Sequence, residues 1–243
     1  KKNELTTMVY DVEDARPDRA HCSEHGKTYH LKDVEFDAAK LDAIQKALKV
    51  LCNTFYGESG NFRSAIYELL VAAGITSQGQ LEIKFVSDGV IINGFKLYYG
   101  DTDSMYISAP EKIFEMIDAW FAERSAEAKA ANDDALLRRY REEYYTVMVQ
   151  LTMDRMKILC EEISDRLTAR TGTRYLNMAY EEVGFPTAWC GKKKYFMTAH
   201  IETINFEPDE YFLRGVEIIK QGVNQIIKVL GNEFIKEALD IHS

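Results

Sequence analysis

Residues 95–108 read FKLYYGDTDSMYIS. Two runs rich in Tyr, Leu and Ile flank Gly100-Asp101-Thr102-Asp103. Aromatic and β-branched residues suit a pleated strand, whereas Gly and Asp suit a tight turn. The segment therefore predicts strand, turn, strand, with Asp101 and Asp103 at the tip. Because long helical patterns lie on either side, the fold class is α+β, with short antiparallel strands set among long helices.

Upstream, Asp37–Gly57 is helical: Leu41, Ile44, Leu48, Leu51 and Phe55 recur at steps of three or four and mark one apolar face. A second helical stretch is expected at about 64–93. Residues 1–10 read as the tail of a helix and 11–36 as a polar connection broken by Pro17 and Gly26. His21, Cys22, His25 and His30 fall in that connection, but their spacing matches no strong zinc pattern, so a solvated loop is expected. Downstream, 111–170 is predicted as long charged helices. Residues 174–183 and 187–200 read as strands around a turn at Gly184-Phe185-Pro186, and helical patterning resumes from Glu207.

The 243 residues suffice for one large domain or two small ones. The apolar fraction of 46% and charged fraction of 28% are those of a globular protein. No apolar run approaches the roughly 18 residues of a membrane span. Four scattered cysteines with no CxxC pair favour reduced thiols and an intracellular site. A net charge of −9 argues against a general polycation but leaves room for one basic channel, because Lys192, Lys193 and Lys194 are consecutive.

Three groups of residues carry chemistry. Asp101 and Asp103, held rigidly on packed strands, suit two Mg²⁺ ions of the kind that clamp attacking and leaving oxygens in phosphoryl transfer; Asp in a turn also has a plain conformational explanation. Lys49, Asn53 and Tyr56, at i, i+4 and i+7, share a helical stripe apart from Leu48, Leu51 and Phe55. A cation, an amide and a ring there suit a nucleotide, although an ordinary amphipathic helix gives the same pattern. In Lys192-Lys193-Lys194-Tyr195, strand alternation sends Lys192 and Lys194 to one face and Lys193 and Tyr195 to the other. Duplex phosphates would satisfy three adjacent cations, as would solvent along a lysine-guarded edge.

The three strings together resemble the family B DNA polymerases. YGDTDS resembles the palm signature, LKVLCNTFYGESGN the fingers motif K-x3-N-S-x-Y-G with Thr54 in place of Ser, and KKKY the motif that grips the primer end. LDAIQKAL is similar to a fingers helix, and YEEVGFP is similar to a further family string with Glu182 in place of Lys. The resemblance implies Asp103 as principal metal ligand and Asp101 as auxiliary. It places Lys49 on the incoming triphosphate and Asn53, Tyr56, Gly57 and Thr102 around the nucleotide. Lys192, Lys193, Lys194, Tyr195 and Arg214 would meet DNA, with Lys220 and Lys228 on further helical sequence.

By the same resemblance, 1–60 is fingers, 61–205 palm and 206–243 the start of the thumb. The partners implied are primer–template DNA, deoxynucleoside triphosphates and two Mg²⁺ ions, with accessory subunits or a sliding clamp reached through other regions, at a nuclear or viral replication site. One departure matters: the family's D-x2-S-L-Y-P-S motif, which supplies another metal-binding Asp, has no counterpart here. The chain also lacks a starting Met and opens in mid-pattern. A fragment inactive by itself is therefore expected. Two other readings compete: a degenerate polymerase-like module that binds DNA or protein without catalysis, and a helical interaction protein with chance motifs, which the acidic charge favours.

Overall fold

The computed structural model describes residues 10–13, 16–22, 26–220 and 222–242. It bears out the α+β reading, with small antiparallel sheets set among long helices. The chain divides into two units, Lys1–Gly79 and Gln80–Ser243. Among the described residues, no helix is long and apolar enough to cross a membrane.

The first unit opens with three antiparallel strands in the order β1-β2-β3: Tyr10–Glu13, Arg16–Cys22 and Lys27–His30. The expected polar connection is thus a small sheet. Strands β2 and β3 carry no apolar alternation, the signal by which a half-buried strand is recognised, and β1 is only four residues long. Of the helical tail expected at 1–10, residues 1–9 lie outside the described residues and Tyr10 begins β1. Helix α1, Leu31–Gly60, begins six residues before the sequence pattern suggests. The apolar face formed by Ile44, Leu48, Leu51 and Phe55 stays exposed. At the end of α1 the Ser59 hydroxyl donates to the Tyr56 carbonyl (2.7 Å), and the Glu68 N–H donates to the Ser59 carbonyl (2.9 Å), which turns the chain into α2, Leu69–Ile92.

In the second unit, β4 (Lys96–Asp101) and β5 (Ser104–Ser108) form the predicted hairpin, with Tyr99 opposite Tyr106 and Asp101 opposite Ser104. Helices α3 (Glu115–Ala130) and α4 (Asp134–Thr171) follow, so the charged stretch around 125–136 is helix interrupted by a short break. The Asp133 side chain caps α4 by accepting from the Leu136 N–H at 2.9 Å, and Gly172, at φ 71°, ends it. Val86, Val90, Phe95, Leu159, Ile163 and Leu167 form the main core, which joins α4 to the C-terminal half of α2 and to the hairpin.

Residues 174–182 are irregular where a strand was expected. The Met178 N–H donates to the Ser164 hydroxyl of α4 (3.0 Å) and so is not available to a strand partner. Strand β6, Val183–Gly191, runs through the Gly184-Phe185-Pro186 segment instead of turning there, and an irregularity between Gly184 and Thr187 accommodates a proline that cannot donate. The turn comes at Lys192-Lys193, before β7, Lys194–His200. The helix expected from Glu207 is first the strand β8, Phe212–Arg214, paired with β7. Gly215 and Gly222, both at positive φ, hold the chain out of helix. Helix α5 starts only after the Asn224 cap and covers Gln225–Ala238, where Ile235 and Leu239 pack on Phe196 of the sheet.

Candidate functional site

The β4–β5 tip is tight because only Thr102 and Asp103 separate the paired Asp101 and Ser104. The Asp103 N–H donates to the Asp101 carbonyl at 2.7 Å, and Thr102 sits at φ 57°, a left-handed position unusual for a β-branched residue. The two carboxylates differ in surroundings. Asp101 is half-buried: its Oδ2 meets the Lys193 ammonium at 3.1 Å, and its Oδ1 accepts from the Thr102 hydroxyl at 3.4 Å. The Asp103 carboxylate is exposed and has no hydrogen-bond or ion-pair partner among the described residues.

Lys193 reaches Asp101 from the β6–β7 turn. The strand alternation expected for the lysine run does not hold there, because Lys192 and Lys193 form the loop and Lys193 adopts φ 59°. The hydrogen bond and the charge of Asp101 raise the Lys193 ammonium above its usual pKa. Arg214 stands at the end of β8, on a strand and not on the helix expected for it.

Asp101, Asp103, Lys193, Tyr195 and Arg214 line one open cleft of about 590 Å³, joined there by Glu181 and Glu182. Burial raises the Glu182 pKa, reinforced by Glu181 and opposed by Arg214. Of the cleft-lining aromatics, Tyr106 and Tyr195 share a short hydrogen bond between their hydroxyls, and Trp189 packs on both, 5.1 Å from Tyr106 and 4.7 Å from Tyr195, centroid to centroid. Desolvation, followed by that bond, raises the Tyr106 pKa. The sequence pattern does not single out Tyr106 or Trp189, though both sit on aromatic strand runs that could have marked them.

In the first unit, Lys49, Asn53, Tyr56 and Gly57 are all exposed on α1. Thr76 donates to the Ala72 carbonyl (3.0 Å), which leaves the Tyr56 hydroxyl as donor to Thr76 at 2.9 Å and fixes the ring against α2. Lys192 and Lys194 are exposed beside the cleft-lining Lys193.

Residues 28–118, which hold both the Lys49–Gly57 stripe and the Asp101–Asp103 turn, match DNA polymerase family B. Over this stretch the chain is similar to the family B DNA polymerases. It is 42% identical over 212 residues to the "DNA polymerase beta" of African swine fever virus, from the isolate Pig/Kenya/KEN-50/1950, covering 87% of this chain and 17% of that one. It is 31% identical over 133 residues to the "DNA polymerase" of Paramecium bursaria Chlorella virus NY2A, covering 50% of this chain and 15% of the other. It is 36% identical over 70 residues to "DNA polymerase 1" of Pyrococcus abyssi, covering 29% and 9%. The chain thus spans about a sixth of the length of the African swine fever virus relatives.

Hard carboxylate oxygens suit Mg²⁺, and in this chain Asp103 presents an open one. Among the described residues, however, no three His, Cys, Asp or Glu side chains converge as a ligand set.

Proposed function

We propose that this chain belongs to the catalytic core of a DNA-directed DNA polymerase, with 1–60 as fingers, 61–205 as palm and 206–243 as the start of the thumb. The observation that carries the reading is the cleft that gathers Asp101, Asp103, Lys193, Tyr195 and Arg214 from three separate strands and turns. Asp103 would hold Mg²⁺ with Asp101 as auxiliary, and the metal would supply charge neutralisation at the reacting phosphate. Lys49 would neutralise the triphosphate, while Asn53, Tyr56, Gly57 and Thr102 line the nucleotide. Lys192, Lys193, Lys194, Tyr195 and Arg214 would position primer–template phosphates. Accessory subunits or a clamp, and a viral replication site, are the corresponding setting.

The decisive experiment is Mg²⁺-dependent primer extension by the longer polymerase carrying this segment, with and without Asp103→Asn. Altering a residue behind a metal ligand already costs about 10–100-fold, so loss of a ligand should cost more than about a hundredfold. An unchanged rate would sink the assignment. Because no three metal ligands converge among the described residues, a second reading stands beside it: a module that binds duplex without catalysis. That reading, and likewise a chain inactive by itself, predicts primer–template binding with no extension.

A further inference from the structure

We propose that Asp101 is a positioning residue that holds Lys193 in place for the duplex backbone. The inference rests on the DNA-handling reading of the cleft. Both Asp101 carboxylate oxygens are engaged, one by the Lys193 ammonium at 3.1 Å and the other by Thr102. Asp103, two residues on, keeps its carboxylate open, so the turn contains one occupied and one available acid.

The lysine is constrained at its other end as well. Its backbone is left-handed at φ 59°, a conformation that a lysine adopts at a cost and that persists only where the surroundings impose it. Gly215, at φ 65°, presses against it: a Cβ there would overlap the Lys193 carbonyl oxygen. Gly215 thus fixes the backbone of Lys193 from just past the end of β8, and Asp101 fixes its head group from the end of β4. An ion pair this exposed contributes little to stability, so its effect is placement. A long flexible cation is held over the cleft with most of its rotamer freedom already spent, and the loss on meeting a phosphate is correspondingly small.

The test is filter binding of a primer–template duplex to the whole chain over a series of KCl concentrations, in EDTA so that no metal contributes. The proteins are wild type, Asp101→Asn, Asp101→Glu, Asp103→Asn, Lys193→Gln and the Asp101→Asn/Lys193→Gln double variant. All three positions are half-buried or exposed, so the fold should survive, and circular dichroism melts verify it. Removing one phosphate contact flattens the log–log salt slope by about one. Asp101→Asn and Lys193→Gln should each do so, the double variant should be no flatter than either, and Asp101→Glu should restore the slope. Asp103→Asn removes the same charge from the same turn and should leave the slope intact.

Additive effects in the double variant, or Asp101→Asn behaving as Asp103→Asn does, would overturn the anchor while leaving duplex binding standing. No duplex binding by wild type even at low salt would overturn both the anchor and the reading beneath it.

Discussion

His200 is wholly buried, with both ring nitrogens satisfied: Nε2 donates to the Phe185 carbonyl at 2.7 Å, and Nδ1 accepts from the Asn205 N–H at 3.2 Å. A proton on Nδ1 would face another N–H. Burial accordingly lowers the pKa from 6.5, with the Phe185 carbonyl opposing. A lowered folded-state pKa means that the unfolded chain binds the proton first. The histidine therefore leaves stability undiminished above pH 6.5 and erodes it as pH falls below that value. Urea midpoints measured between pH 7.5 and 5.5 should fall, and His200→Gln should flatten that step; identical pH profiles would refute the assignment. At Gly215, alanine would face both a left-handed backbone and the Lys193 carbonyl. Gly215→Ala should cost about 1–3 kcal/mol in denaturant unfolding. The sequence displays the two aspartates and the lysine run, but which carboxylate is engaged and which open depends on a contact between residues 92 positions apart.

Helix α2 passes close to α4 at Gly89, where a Cβ would overlap Ile163 Cδ1. Two effects compete in Gly89→Ala. Alanine gains about 1 kcal/mol of helix propensity, while overpacking costs about 1–3 kcal/mol. Ile163 is 1% exposed and has nowhere to retreat, so overpacking should win and the variant should be less stable. Adding Ile163→Val should recover much of the loss, and a double variant no better than Gly89→Ala would contradict this account. Elements were legible in the sequence where local chemistry was strong. The Asp101–Asp103 hairpin, α1 and α4 follow from aromatic strand runs and helical periodicity. The β1–β3 sheet, with its polar strands, and β8, three residues long and followed by Gly215, depend on pairing with distant partners, which periodicity does not encode.

At the scale of the molecule, a net charge of −9 sets the terms for any encounter with a polyanion. Lys193 and Arg214 share their cleft with Asp101, Asp103, Glu181 and Glu182, so attraction is local and metal-free binding should be weak. Filter binding of two unrelated duplexes at physiological salt should give similar Kd values of about 10⁻⁴–10⁻⁶ M; strong preference for one sequence would require base contacts that this surface does not explain. The likeness to the family B DNA polymerases was legible because three short strings keep their order along the chain, whereas the way β6–β8 present Lys193 beside Asp101 is a matter of tertiary packing. The chain contains two tryptophans, and they lie in unlike places. Trp120 packs on Tyr140 between α3 and α4, whereas Trp189 packs on the cleft-lining Tyr195. With Trp120→Phe, a single indole remains beside Tyr106 and Tyr195, so the intrinsic emission of the protein becomes an optical gauge of what enters the cleft, with no dye attached.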